Sequence, residues 1–231
     1  ERRDREASEK RGALAGHRIL ITREYTPDYK PLEEQGGELV VFPTIVAVPP
    51  ETWDDLDQAM ERLHEYHWLV FTSGNGVRFF LSRLKEKGLG LDALAGLRIC
   101  AVGPGTAKAL AHQGLTADLI PKEFNADGLV EAFAGSGGGE APSLKGVSFL
   151  FPRAEGARDV FPSRARGLGA RVDAPVAYRT VIPPLKDSAG PSVLEAGITM
   201  ATFTSGSTFA NFVAMVGQEA LPFLARIPIA V

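Results

Sequence analysis

Two short segments, Thr72-Ser73-Gly74-Asn75-Gly76 and Thr204-Ser205-Gly206-Ser207-Thr208, carry the most chemical information in this sequence. Each follows an apolar run that reads as a strand and opens a stretch of helical periodicity. Such a turn aims unpaired backbone N–H groups and hydroxyls past the strand's carboxyl end, which suits carboxylates or phosphates. The serines serve equally well as helix N-caps. A second copy of the turn moves the reading towards anion binding, with Thr72, Ser73, Gly74, Asn75, Thr204, Ser205 and Gly206 as candidates.

Gly103-Pro104-Gly105-Thr106-Ala107-Lys108 holds a third strand-to-helix position and adds Gly103 and Thr106. It is neither a Walker A loop nor a dinucleotide fingerprint. Lys108 stands where the third glycine belongs, and no acidic ribose partner follows at a suitable spacing, so no nucleotide cofactor is expected. Arg23 and Arg153 end two strands, where a guanidinium reads carboxylates through paired hydrogen bonds. A surface ion pair explains them as readily, and explains Arg158 better. Tyr178, in Ala177-Tyr178-Arg179-Thr180, offers a phenol that acts as a weak general acid or simply packs half-buried.

Metal chemistry finds little support. His64 and His67 straddle a helix–strand boundary, His17 and His112 lie far off, and Cys100 is the sole cysteine. No Gly-x-Ser-x-Gly elbow or Ser/His/Asp set is visible.

The elements that must position these residues follow from patterning. Apolar runs predict strands at 17–22, 38–43, 68–72, 98–102, 117–120, 147–151, 170–174, 200–204 and 227–231. Helical periodicity covers 28–35, 54–66, 76–87, 105–113, 127–133, 157–168, 191–196 and 207–216, and the alternation implies βαβ units with parallel sheets. The glycine-rich stretch 135–142 reads as a mobile loop. A length of 231 residues corresponds to one or two domains at ~150 residues each. With 45% apolar residues, 23% charged and a net charge of -3, the composition is that of a soluble globular protein rather than a nucleic-acid binder. The longest apolar run, 39–48, is too short to span a bilayer, and the first twelve residues carry nine charges, unlike a secretory signal. A cytoplasmic protein without nucleic-acid or membrane partners is expected.

An internal repeat organises the chain. Leu69–Gly74 recurs as Ala201–Gly206 at an offset of 132 (72 to 204), and Ile19–Arg23 is echoed by Phe149–Arg153 at 130 (23 to 153). Gly37–Pro43 matches Gly169–Pro175 at 132, and Ile99–Val102 matches Pro228–Val231 at 129. Two copies of one α/β unit are implied, the second ending mid-strand. The extended stretches 42–50 and 175–184 occupy equivalent places, and each ends in a Pro-Pro pair that forbids helix. They read as two crossovers side by side. The expected fold is therefore α/β, with two flavodoxin-like parallel-sheet lobes from an internal duplication joined by a two-stranded hinge. The discontinuous lobe combines 16–45 with 179–231, the other spans 46–178, and 1–15 is a linker or the tail of a preceding domain. The serine turns would then face each other across an inter-lobe cleft, a preferred place for ligands.

In the order and spacing of Ile19–Arg23, Val70–Gly76, Ala101–Ala107, Arg153–Arg158, Ala177–Arg179 and Phe203–Gly206, the chain resembles uroporphyrinogen-III synthase over nearly all of 17–231. No one of these motifs is diagnostic; together they are specific. The resemblance implies a lyase that cyclises hydroxymethylbilane, a linear tetrapyrrole with eight carboxylates, to uroporphyrinogen III with loss of water and inversion of ring D. It implies no cofactor and a monomer. Tyr178 matches the tyrosine proposed to assist hydroxyl departure; Thr72, Ser73, Gly74, Ser205 and Gly206 match loops that hold acetate and propionate groups; Arg23 and Arg153 match edge arginines. The charged start fits a linker left by fusion to another tetrapyrrole enzyme, a uroporphyrinogen methyltransferase or hydroxymethylbilane synthase. A non-catalytic two-lobed module sensing an anion or tetrapyrrole stays open as the alternative. A glycosyltransferase-like enzyme is disfavoured, because no acidic metal-binding pair or nucleotide loop is present.

Overall fold

Strands form where three or four apolar residues stand between glycine, proline and serine, and helices where apolar residues recur at three and four. In chain order the computed structural model contains β1 (Arg18–Ile21), α1 (Lys30–Glu34), β2 (Glu38–Val41), β3 (Val46–Val48), α2 (Asp54–Met60), β4 (Trp68–Phe71) and α3 (Gly74–Glu86). There follow β5 (Arg98–Ala101), α4 (Pro104–Ala111), α5 (Ala126–Ala134), β6 (Ser148–Leu150), β7 (Arg153–Ala154), α6 (Val160–Gly167), β8 (Arg171–Asp173) and β9 (Val176–Val181). The last are α7 (Ala189–Glu195), β10 (Met200–Thr202), α8 (Gly206–Val216), α9 (Ala220–Leu224) and β11 (Ile229–Ala230). The structure describes residues 12–134, 143–184 and 189–231; most of the expected charged linker and the whole glycine-rich loop at 135–142 lie outside them. These residues fall into two compact units, one made of the described residues up to Val46 together with those from Val181 onward, the other of 47–180.

In the 47–180 unit, β4 is buried at all four positions, as a parallel strand covered on both faces must be. The alternation of a strand splits its side chains between two cores. Leu69 and Phe71 join Ile99, Ala101 and Leu150 beneath α2, α3 and Leu110, while Trp68 and Val70 join Cys100, Phe149 and Val172 beneath α5 and α6. The parallel sheet runs β5-β4-β6-β8. Counting these four strands as they occur along the chain, the order is 2-1-3-4, the flavodoxin-like winding, whose direction reverses between β4 and β6.

The other unit has a parallel sheet in the order β11-β10-β1-β2. It is the same winding entered at a different strand, with β1 and β10 taking the places of β6 and β4. Leu20, Ala201, Phe203 and Phe212 lie at the centre of its core. The reversal falls between β1 and β10.

Pairing registers refine the repeat. Leu69 sits opposite Leu150 and Ile21 opposite Thr202, which agrees with offsets of 132 and 130. Leu69 pairs with Ile99 and Ala201 with Ile229, however, so the last segment repeats at 130 (99 to 229) rather than 129. Likewise Arg18 pairs with Glu38 and Ser148 with Arg171, which makes the offset of the Gly37–Pro43 segment 133 (38 to 171) rather than 132. A one-residue slip exchanges the two faces of a strand; the match of 37–43 with 169–175 is anchored on its flanking glycine and proline, which do not fix the strand between them.

Several element expectations need correction. Residues 117–120 form no strand; Leu119 makes an isolated bridge to Cys100. The helix expected over 54–66 stops at Met60 and resumes as a 3-10 turn at Leu63–Glu65. The helix expected at 157 begins at Val160, because 153–154 pairs as β7 with β9. Both proline-flanked stretches do contain strands, β3 and β9, which neighbour each other in a three-stranded sheet with β7.

Candidate functional site

Ligands of doubly wound sheets bind outside the strands' carboxyl ends where the winding reverses. In the 47–180 unit that point is flanked by the Thr72-Ser73-Gly74 turn after β4 and by Arg153 after β6. In the other unit it is flanked by Arg23 after β1 and by the Thr204-Ser205-Gly206 turn after β10. The candidates thus form two sets, each at its own reversal.

The Ser73 turn is built by its neighbours. Ser73 is extended (φ -157, ψ 153) and caps α3, its hydroxyl accepting from the Gly76 N–H at 3.0 Å. Gly74 lies close enough to α4 that a Cβ there would meet the Ala109 Cβ at 3.4 Å, and one at Gly76 would stand 3.6 Å from the Pro152 carbonyl oxygen. Both are ordinary contact distances, so the start of α3 lies close to α4 and to the chain beyond β6 without requiring glycine at either position.

Tyr178 arrives from β9. This strand is stitched to the chain just beyond β6: Arg153 N–H donates to the Pro175 carbonyl at 3.0 Å, and Glu155 N–H to the Tyr178 carbonyl at 2.8 Å. Tyr178 is 9% exposed, its ring stacked on Phe79 of α3 with centroids 5.7 Å apart and planes at 10°. Its hydroxyl meets that of Ser73 at 3.0 Å, either group able to donate. The Arg78 guanidinium lies over the far part of this stack, 4.5 Å from the Phe79 centroid, and donates to the Asn75 side-chain oxygen at 3.2 Å. Two candidates chosen from separate parts of the sequence, Ser73 and Tyr178, therefore share a hydrogen bond.

Other candidates are placed differently. Gly103 takes φ 90, a conformation favouring glycine, and begins α4 ahead of Pro104. Thr106 is buried and its hydroxyl donates to the Val102 carbonyl at 3.1 Å, so it secures the turn. Arg153 is held by Asp159 at 2.9 Å and by the Ala157 carbonyl. Asp159 is kept below the usual carboxylate range by Ser163, with Arg153 and Arg166 adding to the effect. Thr72 and Arg158 are exposed. Cys100 is buried, which pushes its thiol up to about 12 and leaves it a packing residue. Among the described residues no group of three His, Cys, Asp or Glu is arranged to hold a metal.

In the second set, Ser205 caps α8 within a reciprocal capping box with Thr208, and its hydroxyl also meets Ser207 at 2.9 Å. Thr204, Ser205 and Gly206 are exposed. Arg23 is exposed and makes no hydrogen bond or ion pair among the described residues. Behind it, Thr22 donates to the Thr202 carbonyl at 2.7 Å and locks the neighbouring strand ends together.

The uroporphyrinogen-III synthase HemD family model matches residues 28–231. The chain belongs to that family. Uroporphyrinogen-III synthase is a lyase of tetrapyrrole biosynthesis. A protein of that name from Synechococcus elongatus is 32% identical over 211 residues, covering 89% of this chain and 77% of its own length. The porphyrin biosynthesis protein HemD of Ruminiclostridium josui is 31% identical over 218 residues, 93% of this chain but 42% of that longer protein. Among solved structures, uroporphyrinogen-III synthetase from Helicobacter pylori shares the fold with a TM-score of 0.54 at 16% identity, over 93% of this chain and 91% of that one. A mutant uroporphyrinogen III synthase from Thermus thermophilus does so at 0.52 and 16%, over 94% and 93%. No helix among the described residues is long and apolar enough to cross a membrane.

Sequence reading missed Phe79 and Arg78. Phe79 lies on an apolar helix face and looks like any core residue; its position seven beyond Thr72 gives no hint of the ring stacked on it.

Proposed function

We propose that this chain cyclises hydroxymethylbilane to uroporphyrinogen III, with Tyr178 as the acid that assists loss of the terminal hydroxyl. The observation that supports this most is the 3.0 Å contact between the Ser73 and Tyr178 hydroxyls at the winding reversal. Ser73 already accepts the Gly76 N–H, so its own proton is available to the phenol oxygen. As the phenol gives its proton to the departing hydroxyl, water leaves and the terminal pyrrole becomes an electrophilic azafulvene. Ser73 then donates to the emerging phenolate. Ring D attacks through its substituted carbon to give a spiro intermediate, which fragments and recloses with ring D reversed. The ring carbon that closes the macrocycle sheds its proton, and the phenol is restored.

Most of the remaining candidates bind. Backbone N–H groups at Ser73, Gly74, Asn75 and Gly103 take acetates and propionates at one edge, and Arg23, Thr204, Ser205 and Gly206 do so at the other. Arg153 acts through Asp159 to steady the turn that holds β9. Catalysis is then chiefly orientation, holding the chain so that closure without inversion loses the race. A cytoplasmic monomer, joined in some contexts to another tetrapyrrole enzyme, belongs to the same reading. Family membership favours it over a sensing module.

The test is an assay of purified protein with freshly generated hydroxymethylbilane, separating the type III from the type I product. Type III in excess is expected. Type I formed at the uncatalysed rate would sink the reading and leave the sensing module in its place.

A further inference from the structure

Phe124 is 58% exposed, more than any other aromatic ring among the described residues. The ring is not loose. It rests against Gly103, where a Cβ would lie 3.5 Å from the ring's Cγ and 3.8 Å from both Cδ atoms. It belongs to the segment that leaves the Leu119 bridge and enters α5, and Asn125 fixes that entry by accepting from the Gly128 N–H at 2.8 Å. Ile120, 47% exposed, belongs to the same segment.

The location matters more than the exposure. Val102 N–H donates to the Phe71 carbonyl at 2.8 Å, so the ends of β4 and β5 lie side by side. Gly103 is therefore one strand spacing, roughly 5 Å, from the Ser73 turn. An apolar ring left in water beside two turns rich in free N–H groups pairs a flat hydrophobic face with anion donors. A pyrrole bearing an acetate and a propionate has the complementary form: a flat, electron-rich ring with carboxylates on its rim. Aromatic rings gain from offset or edge contacts beyond the area they bury.

We propose that Phe124 is a substrate-positioning residue on which one pyrrole ring of the linear tetrapyrrole packs while its carboxylates reach the neighbouring turns. This rests on the functional reading above and adds to it a contact made by shape and aromaticity rather than charge.

Steady-state kinetics with hydroxymethylbilane on Phe124→Ala, Phe124→Leu and Phe124→Tyr test it. Phe124→Ala should raise KM about five- to tenfold with kcat within about twofold, Phe124→Leu should recover little, and Phe124→Tyr should restore wild-type KM. An unchanged KM in Phe124→Ala, or full recovery by leucine, overturns the proposal, and so does a change of oligomeric state in sedimentation, which would make a second copy the ring's partner. Should the wild type form no type III product, the functional reading fails separately. The proposal is then decided by binding: Phe124→Trp fluorescence, corrected for Trp53 and Trp68 with the wild type, should be quenched by uroporphyrinogen III. Absence of added quenching overturns it.

Discussion

The two units repeat one winding and one serine turn, yet the turns are backed by different side chains. Behind Ser73 stand Phe79 and, from β9, Tyr178. At the repeat offset of 132, Phe79 corresponds to Asn211, whose amide donates to the Thr44 carbonyl at 3.2 Å. Tyr178 corresponds to Val46 at that offset, or to Ile45 at the offset of 133 that the strand pairing gives; neither has a hydroxyl. The arginines differ in the opposite sense: Arg153 is tied to Asp159, whereas Arg23 has no partner among the described residues. Duplication thus supplied two like serine turns, and divergence backed one with a phenol and left an arginine without a described partner beside the other.

That contrast is most exposed to attack at Tyr178. Tyr178→Phe keeps the ring on Phe79 and removes the proton, so type III formation should fall on the order of 10²-fold with an unchanged circular dichroism spectrum. Unaltered turnover would transfer the acid role to water or to the substrate's own carboxylates.

A paired substitution comes next. Ser73→Ala and Ser205→Ala each remove a helix cap worth about 1 kcal/mol, so both should lower the melting temperature similarly. Only Ser73→Ala should also cut kcat, by about tenfold on the general-acid scale, since only Ser73 touches the phenol. Equal kcat values in the two variants would erase the functional asymmetry.

For the arginines, Arg23→Ala should raise KM several-fold, about the effect of one charge-assisted hydrogen bond, and should weaken the salt dependence of KM while leaving stability unchanged. Arg153→Ala should lower the melting temperature slightly instead, because Asp159 and the Ala157 carbonyl lose a donor while Ser163 and Arg166 still hold Asp159. Kinetics and thermal melts of the two variants side by side would show either exchange of roles.

The smallest effect concerns acid. Asp57, held low chiefly by its hydrogen bonds to Arg83, and Asp159 both lie in 47–180. A carboxyl whose folded pKa is depressed stabilises fully above its unfolded value of ~3.9 and loses that contribution as pH falls through the folded value. Below about pH 4 this unit should loosen first. Tryptophan fluorescence reports it, since Trp53 and Trp68 both lie here and the Arg83 guanidinium sits 5.2 Å from the Trp53 centroid. Asp57→Asn should flatten that acid response; an unchanged titration would show that the ion pair does not set it.

What the sequence revealed follows from which forces leave a pattern. Four-residue apolar runs such as Trp68–Phe71 announce buried strands, and Ser73 and Ser205 announce helix starts by their chemistry. The helix at Ala220–Leu224 went unseen because Pro222 reads as a breaker, although at the third position of a helix it costs no intrahelical hydrogen bond. The repeat offset escaped by one residue in short edge strands: Ile229–Ala230 is exposed at both positions and Glu38–Val41 is fully buried at none, so no buried alternation fixes the match. The Tyr178–Phe79 stack joins residues 99 positions apart, and Phe124 lies 21 beyond Gly103; long-range contacts of this kind leave no local trace.

Folding and turnover share an atom in this enzyme. The Ser73 oxygen accepts from the first turn of a helix on one side and meets the Tyr178 phenol on the other, so on the proposed mechanism heat or mutation that frays that turn would also misdirect the acid. Activity should fade ahead of global unfolding, and thermal robustness gained elsewhere in the chain need not protect it.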